Sequence, residues 1–144
     1  MTEYHTLLVP VAGRAEDEDA LELACHLSRC AGNARVVVTH IISVDRSLPL
    51  DAEIDSEIAK AEGVLSRFEN LGKKYNCSVE TNLLQARAVG PAIVDEAVEQ
   101  KADTIVIGSD YKTHFGEFSL GEVVPYILQN APCRVILSHR QQSI

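Results

Sequence analysis

Two glycines, Gly108 and Gly121, bracket the stretch of this chain whose residue types and spacing suggest chemistry. The apolar run Ile105-Val-Ile107 leads into Gly108-Ser109-Asp110-Tyr111, a loop of about a dozen residues follows, and Gly121-Glu122 opens a helical segment. In such a strand, loop and helix the backbone N–H groups at the helix start hold an anion of the phosphate type. Two positions depart from that plan. A glycine at 111 would allow positive φ and close approach of the backbone to an anion, which Tyr111 does not favour. A hydroxyl at 122 would donate a hydrogen bond, whereas Glu122 brings a carboxylate to the positive end of the helix dipole, where an anion would sit. At ~4 Å two like charges cost on the order of 1 kcal/mol in water and several near a protein surface. Gly116 offers flexibility a few residues late, and Lys112 and His114 offer positive charge. Two readings therefore stand: an altered anion site, or a loop that only connects two elements.

Other polar residues point less sharply. His40 closes an apolar run and reads as a loop-bonded histidine before a catalytic base, because no serine or cysteine nucleophile can be paired with it. Arg87 reads as a surface salt-bridge partner before an anion contact. The five histidines show neither HxH nor HExxH spacing, so no metal site is expected. Cys25, Cys30, Cys77 and Cys133 contain no CxxC pair and read as reduced thiols used as small apolar or surface residues. The acidic run Glu16-Asp17-Glu18-Asp19 reads as the solvated first turn of a helix.

The bulk properties bound the possibilities. A chain of 144 residues, 46% hydrophobic and 24% charged, is expected to form one domain over 1–144 with its own core. The net charge of −8 repels nucleic acid and anionic lipid. No apolar run reaches the ~20 residues of a membrane span, and the N-terminal residues are not of signal-peptide type, so no membrane insertion and a cytoplasmic location are expected.

The elements that must position these residues alternate. Thr6–Val11 reads as a buried strand, Asp17–Ala31 as a helix stopped by Gly32-Asn33, and Arg35–Val44 as a strand covered on both faces. A long amphipathic helix runs from Ile54 to an end at Gly72 or Asn76. Cys77–Gln85 reads as a third strand, Gly90-Pro91 starts a helix, and Thr104–Ile107 is a fourth strand. A helix over 121–129 and a last strand, Arg134–Ser138, complete the set. Five strands and four helices in alternation imply a doubly wound α/β domain with a parallel sheet, whose ligands sit beyond the carboxyl ends of the strands.

Four segments together carry a resemblance to the universal stress protein family: Leu7-Leu-Val-Pro-Val11 with Gly13, Thr39-His40, Ala102 through Ser109, and Gly121 with Ala131-Pro-Cys-Arg-Val135. The resemblance spans nearly the whole chain. It implies an adenine nucleotide alpha hydrolase-like sheet in the order 3-2-1-4-5, and dimerisation through the last strand. The nucleotide signature of the family, GxxGx9G[ST], falls on Gly108, Tyr111, Gly121 and Glu122, of which only the two glycines match. The family aspartate after the first strand falls on Ala12. The positions of a nucleotide site in this family are then Ala12, Gly13, His40, Gly108, Tyr111, Gly116, Gly121 and Glu122.

From these departures the expected function is a cytoplasmic, dimeric, non-enzymatic stress-response protein that acts through an unknown protein partner and needs no cofactor. The dimer edge would be Val135, Ile136 and Leu137, because an apolar edge strand calls for a partner. The alternative is a nucleotide-binding sensor module for ATP, AMP or a cyclic nucleotide. The segment Gln85-Ala-Arg-Ala-Val-Gly90 resembles family domains attached to transporters, so that module would regulate one.

Overall fold

The computed structural model describes residues 4–109, 112–114, 117–119 and 121–139, with backbone alone at 112–114 and 117–119. The elements in order are β1 (Thr6–Pro10), α1 (Ala15–Cys30), β2 (Arg35–Ser43), α2 (Asp55–Lys74), β3 (Val79–Ala86), α3 (Val89–Glu99), β4 (Thr104–Gly108), β5 (Lys112–His114), β6 (Glu117–Ser119), α4 (Val123–Asn130) and β7 (Arg134–Ser138). Five of the strands form one parallel sheet in the order β3-β2-β1-β4-β7. This is the doubly wound arrangement expected from the alternation, with β7 as the fifth strand of the sequence reading.

The sheet is apolar on both faces because helices cover both. Leu7 and Val9 of β1 point with Val36, Val38 and Val106 into a core closed by α1 and by Leu65 and Phe68 of α2. Leu8, Val37, Ile105 and Ile107 point the other way, against Ile93 and Ala97 of α3 and Val124 and Ile127 of α4. Every residue of β1 is buried, as a central parallel strand must be. The β3 edge is tied to β2 by a bidentate bond from Arg35 to Glu80, at 2.7 and 2.8 Å. The guanidinium lowers the Glu80 carboxyl below its usual range, chiefly through those hydrogen bonds.

Two local expectations are corrected, and the end of α2 is decided between its two candidates. The loop after β4 contains a short antiparallel hairpin, β5 with β6, in register Thr113↔Phe118. Three-residue strands are too short to show a period in the sequence. In α2 the helix runs through Gly72 and stops at Asn76, which takes φ 58°. Gly72 is required by packing: a Cβ there would lie 2.4 Å from Val79 Cγ2 and 3.1 Å from the Cys77 carbonyl. On α1 the apolar spacing predicts a buried face of Ala20, Leu23, Ala24, Leu27 and Ala31, whereas the buried stripe is Asp17, Ala20, Leu21, Ala24, Cys25 and Ser28, with Leu23 and Leu27 only partly covered. Cys25 and Cys77 meet in this core, and burial holds the Cys25 thiol far above its ordinary pKa. All four cysteines are free.

The two glycines of α2 give an internally controlled test. Gly63 has nothing within 4 Å of a Cβ, so Gly63→Ala should stabilise by about 0.5–1 kcal/mol through helix propensity. Gly72→Ala gains the same propensity, but overpacking costs about 1–3 kcal/mol and the net effect is destabilising. Urea unfolding of the two variants should move in opposite directions.

Candidate functional site

A cleft of about 450 Å³ opens at the carboxyl ends of β1 and β4, where the strand order reverses. Its origin is a break in the ladder. The β1 to β4 register holds only Leu7↔Thr104 and Leu8↔Ile105, although both strands run further. On β1 the Thr6 carbonyl accepts from Asp103 of the β4 side, whereas the Val11 N–H donates to Thr39 of β2. With a period of two, residue 10 faces β4, and residue 10 is a proline with no N–H to give. The ladder stops where its donor is missing, and the two strands part around the cleft.

The walls are mostly aliphatic: Val11, Ile41, Val89, Ile93, Ile107 and Val124. Four of the expected site residues line the cleft, namely Ala12, Gly108, Gly121 and Glu122. Two others stand behind it. The Gly13 N–H is turned inward within its loop, and the His40 ring is bonded through Nδ1 to the Val11 carbonyl at 2.9 Å, the loop-holding role expected of it. Because a carbonyl accepts, Nδ1 carries the proton. Tyr111 and Gly116 lie outside the described residues, as do the side chains of Lys112 and His114.

Gly108 is also demanded by the fold. A Cβ at this position would be 2.5 Å from the Glu16 carbonyl oxygen, so α1 begins in direct contact with the end of β4. Its presence is accounted for without a ligand. Gly121 has φ 77° and nothing within 4 Å of a Cβ, so a backbone requirement alone explains the residue type there.

The acidic run contains the feature that sequence reasoning missed. Asp17 is 7% exposed and is not a solvated helix-start residue. Its Oδ2 accepts three consecutive backbone N–H groups, from Ala12 at 2.7 Å, Gly13 at 2.9 Å and Arg14 at 3.0 Å. Three converging amides after a strand and before a helix form an anion nest, and a carboxylate of the chain itself occupies it. Asp17 lines the cleft. The signal was available in principle, since an acidic residue three places beyond the residue preceding a helix can reach back to the loop amides. Glu122 stands on the opposite rim, ahead of α4, and makes no side-chain cap of that helix. Both helix starts at this cleft therefore carry a carboxylate.

Arg87 is placed differently from either expectation. Its Nη1 donates to the carbonyls of Asp45 at 2.6 Å and Leu48 at 2.8 Å, so it pins the loop after β2, in place of the surface salt bridge expected of it, which is not found among the described residues. Ser109 and His139 form a pair that the sequence did not suggest, with Oγ to Nδ1 at 2.6 Å. Ser109 is 2% exposed and its N–H donates to the Ser138 carbonyl, so the pair fastens β4 to β7. A second depression, about 560 Å³, lies along α1 and is lined by charged and polar side chains including Asp19, Glu22, His26 and His139. Among the described residues no group of three or more His, Cys, Asp or Glu is placed to hold a metal ion.

Among the described residues no strand pairs with the outer edge of β7. Arg134 N–H and Ser138 carbonyl face β4, so by the same alternation the N–H and carbonyl groups of Val135 and Leu137 face away from the sheet. The side chains of Val135 and Leu137 lean on the α3 and α4 core and Ile136 on the α1 and α2 core.

The universal stress protein family model matches residues 3–139. The chain belongs to this family. A curated universal stress protein of Methanocaldococcus jannaschii is 28% identical over 142 residues, covering 93% of this chain and 81% of that protein. A solved universal stress protein from Archaeoglobus fulgidus superposes with a TM-score of 0.79 at 27% identity, over 94% of this chain and 98% of that one. A structure of the Archaeoglobus fulgidus protein in complex with dAMP gives a TM-score of 0.73 at 25% identity, over 95% of this chain and 98% of that one. No helix among the described residues is long and apolar enough to cross a membrane.

If Asp17 holds the loop before α1, truncating it should be costly. Asp17→Ala leaves three amides without their acceptor, and the expected destabilisation is about 1–3 kcal/mol. Denaturant unfolding checks this, against Glu18→Ala, whose side chain is 3.9 Å from Arg67 at the surface and whose loss should cost less than about 1 kcal/mol.

Proposed function

We propose that this protein is a cytoplasmic, non-enzymatic regulatory member of the universal stress protein family whose cleft takes an adenine nucleoside-type ligand and does not use ATP. The observation that carries the reading is the nest at the start of α1, filled by Asp17 of the chain itself. An aliphatic cleft of this size suits a base and sugar. The dAMP complex of the Archaeoglobus fulgidus protein supports a nucleoside-type occupant. The phosphate end is where this chain differs from the family signature. A phosphate brought to either helix start meets Asp17 or Glu122, and each like-charge contact at ~4 Å costs on the order of 1 kcal/mol in water and several near the surface. A triphosphate repeats that cost, so affinity should fall as phosphates are added.

The absence of catalysis is part of the same proposal. The Ser109 and His139 pair lies between strands, and Ser109 does not line the cleft. With no polyphosphate seated, no hydrolysis follows. The output is then a change in what the protein contacts, and the outer β7 edge supports pairing with a second copy across a two-fold axis.

Isothermal titration with adenosine, AMP and ATP tests the ligand reading. Adenosine should bind most tightly and ATP at least tenfold more weakly; tighter binding of ATP than of adenosine would sink it. For the dimer, Leu137→Pro removes an outward N–H while leaving the ladder to β4 intact. Light scattering should show a dimer for the parent and a monomer for the variant, and an unchanged dimer would place the interface elsewhere.

A further inference from the structure

Among the described residues no strand pairs with the outer edge of β3, on the side of the sheet far from β7. The Ala86 carbonyl accepts from Val44 beyond β2, so with a period of two the N–H and carbonyl groups of Thr81, Leu83 and Gln85 face away from the sheet. After Val79 no residue of β3 is buried, whereas every residue of β1 is. The one charged side chain of the strand, Glu80, is already paired with Arg35. An edge that neither free charge nor cover protects is a template for another chain.

Beside this edge runs a groove of about 430 Å³ shared with α3. Leu84 and Ala86 of the strand share it with Pro91 and Ala92 of the helix, and Asn82 bonds Glu96, so α3 runs back along the edge. Three carboxylates line it: Asp95, Glu96 and Glu99. Glu96 is 5% exposed, and its Oε2 accepts from the side-chain amides of Asn82 and Gln100, neutral groups that leave its charge in place. Asp95 and Glu99 are exposed. Arg87, the one cation among the lining residues, is turned to the carbonyls of Asp45 and Leu48, so the groove keeps an excess of negative charge. Its spacing matches an extended chain. Asp95 and Glu99 are about 6 Å apart along the helix, and side chains on one face of a strand recur every ~6.6 Å.

We infer that the β3 edge is a docking surface for an extended basic segment of a protein partner, which adds a strand to the sheet and sets alternate lysine or arginine side chains against Asp95 and Glu99. The outward backbone groups of Thr81, Leu83 and Gln85 hold the segment, and the carboxylates select it. The net charge of −8 draws a basic partner. A second copy of this chain brings the same acidic groove and is repelled, which separates this edge from that of β7. The assignment does not depend on what fills the cleft between β1 and β4.

The probe is a fluorescent peptide of alternating lysine and valine, as long as β3. By fluorescence anisotropy it should bind the parent at least about tenfold more tightly than the same peptide with glutamate in place of lysine. The double variant Asp95→Asn, Glu99→Gln changes only exposed side chains of the same shape and should weaken the lysine peptide at least about fivefold. Methylating the backbone nitrogens of either the lysines or the valines tests the added strand. One of these two sets faces β3, and its methylation should reduce binding at least about tenfold. Equal binding of the lysine and glutamate peptides, full binding by the double variant, or full binding of both methylated peptides overturns the inference. So does a parent that binds no peptide, and so does a lysine peptide that lowers the oligomeric mass in light scattering, which gives the edge to a second copy.

Discussion

The contact between the first turn of α1 and the end of β4 governs this molecule. Glu16 meets Gly108 so closely that a methyl group between them would lie 2.5 Å from a backbone oxygen. One residue later, Asp17 gathers the amides of Ala12, Gly13 and Arg14. The same turn thus sets how tightly α1 lies on the sheet and what occupies the anion nest at its start. Stability and the content of the nest are joined there, because a residue that opened the nest would also loosen the junction.

The cleft beside this junction follows from a missing donor. Pro10 ends the hydrogen-bonded part of β1 on the side facing β4, and the two central strands separate there. A doubly wound sheet places a crevice at its switch point in any case. What is particular here is the lining: apolar walls, with carboxylates at both helix starts and Arg14 beside them.

Much of the framework was legible in the residue pattern. Continuous apolar strands alternating with amphipathic helices identified the parallel sheet, and the four family segments gave its order. The departures at Ala12 and Glu122 were visible too, and the structure sets both at the cleft. Asp17 was read as solvated because acidic first turns usually are, although its place three residues beyond Arg14 is one from which an acidic side chain can reach back to the loop amides. Arg87 was assigned to a surface ion pair, since the carbonyls it holds belong to a loop some forty residues earlier. Gly72 and Asn76 were both candidate ends of α2; Asn76 has the positive φ, and Val79 on the following strand gives Gly72 a packing purpose instead.

The sequence by itself determined what depends on periodicity and local conformational preference: the strands, the helices, the parallel winding and the family. Those properties repeat along the chain and can be read from near neighbours. Only the tertiary structure decided which carboxylate fills the nest, that Gly108 serves packing, and that Pro10 parts the central strands. Each of these depends on a distance between groups brought together by the crossovers, and no local pattern records such a distance.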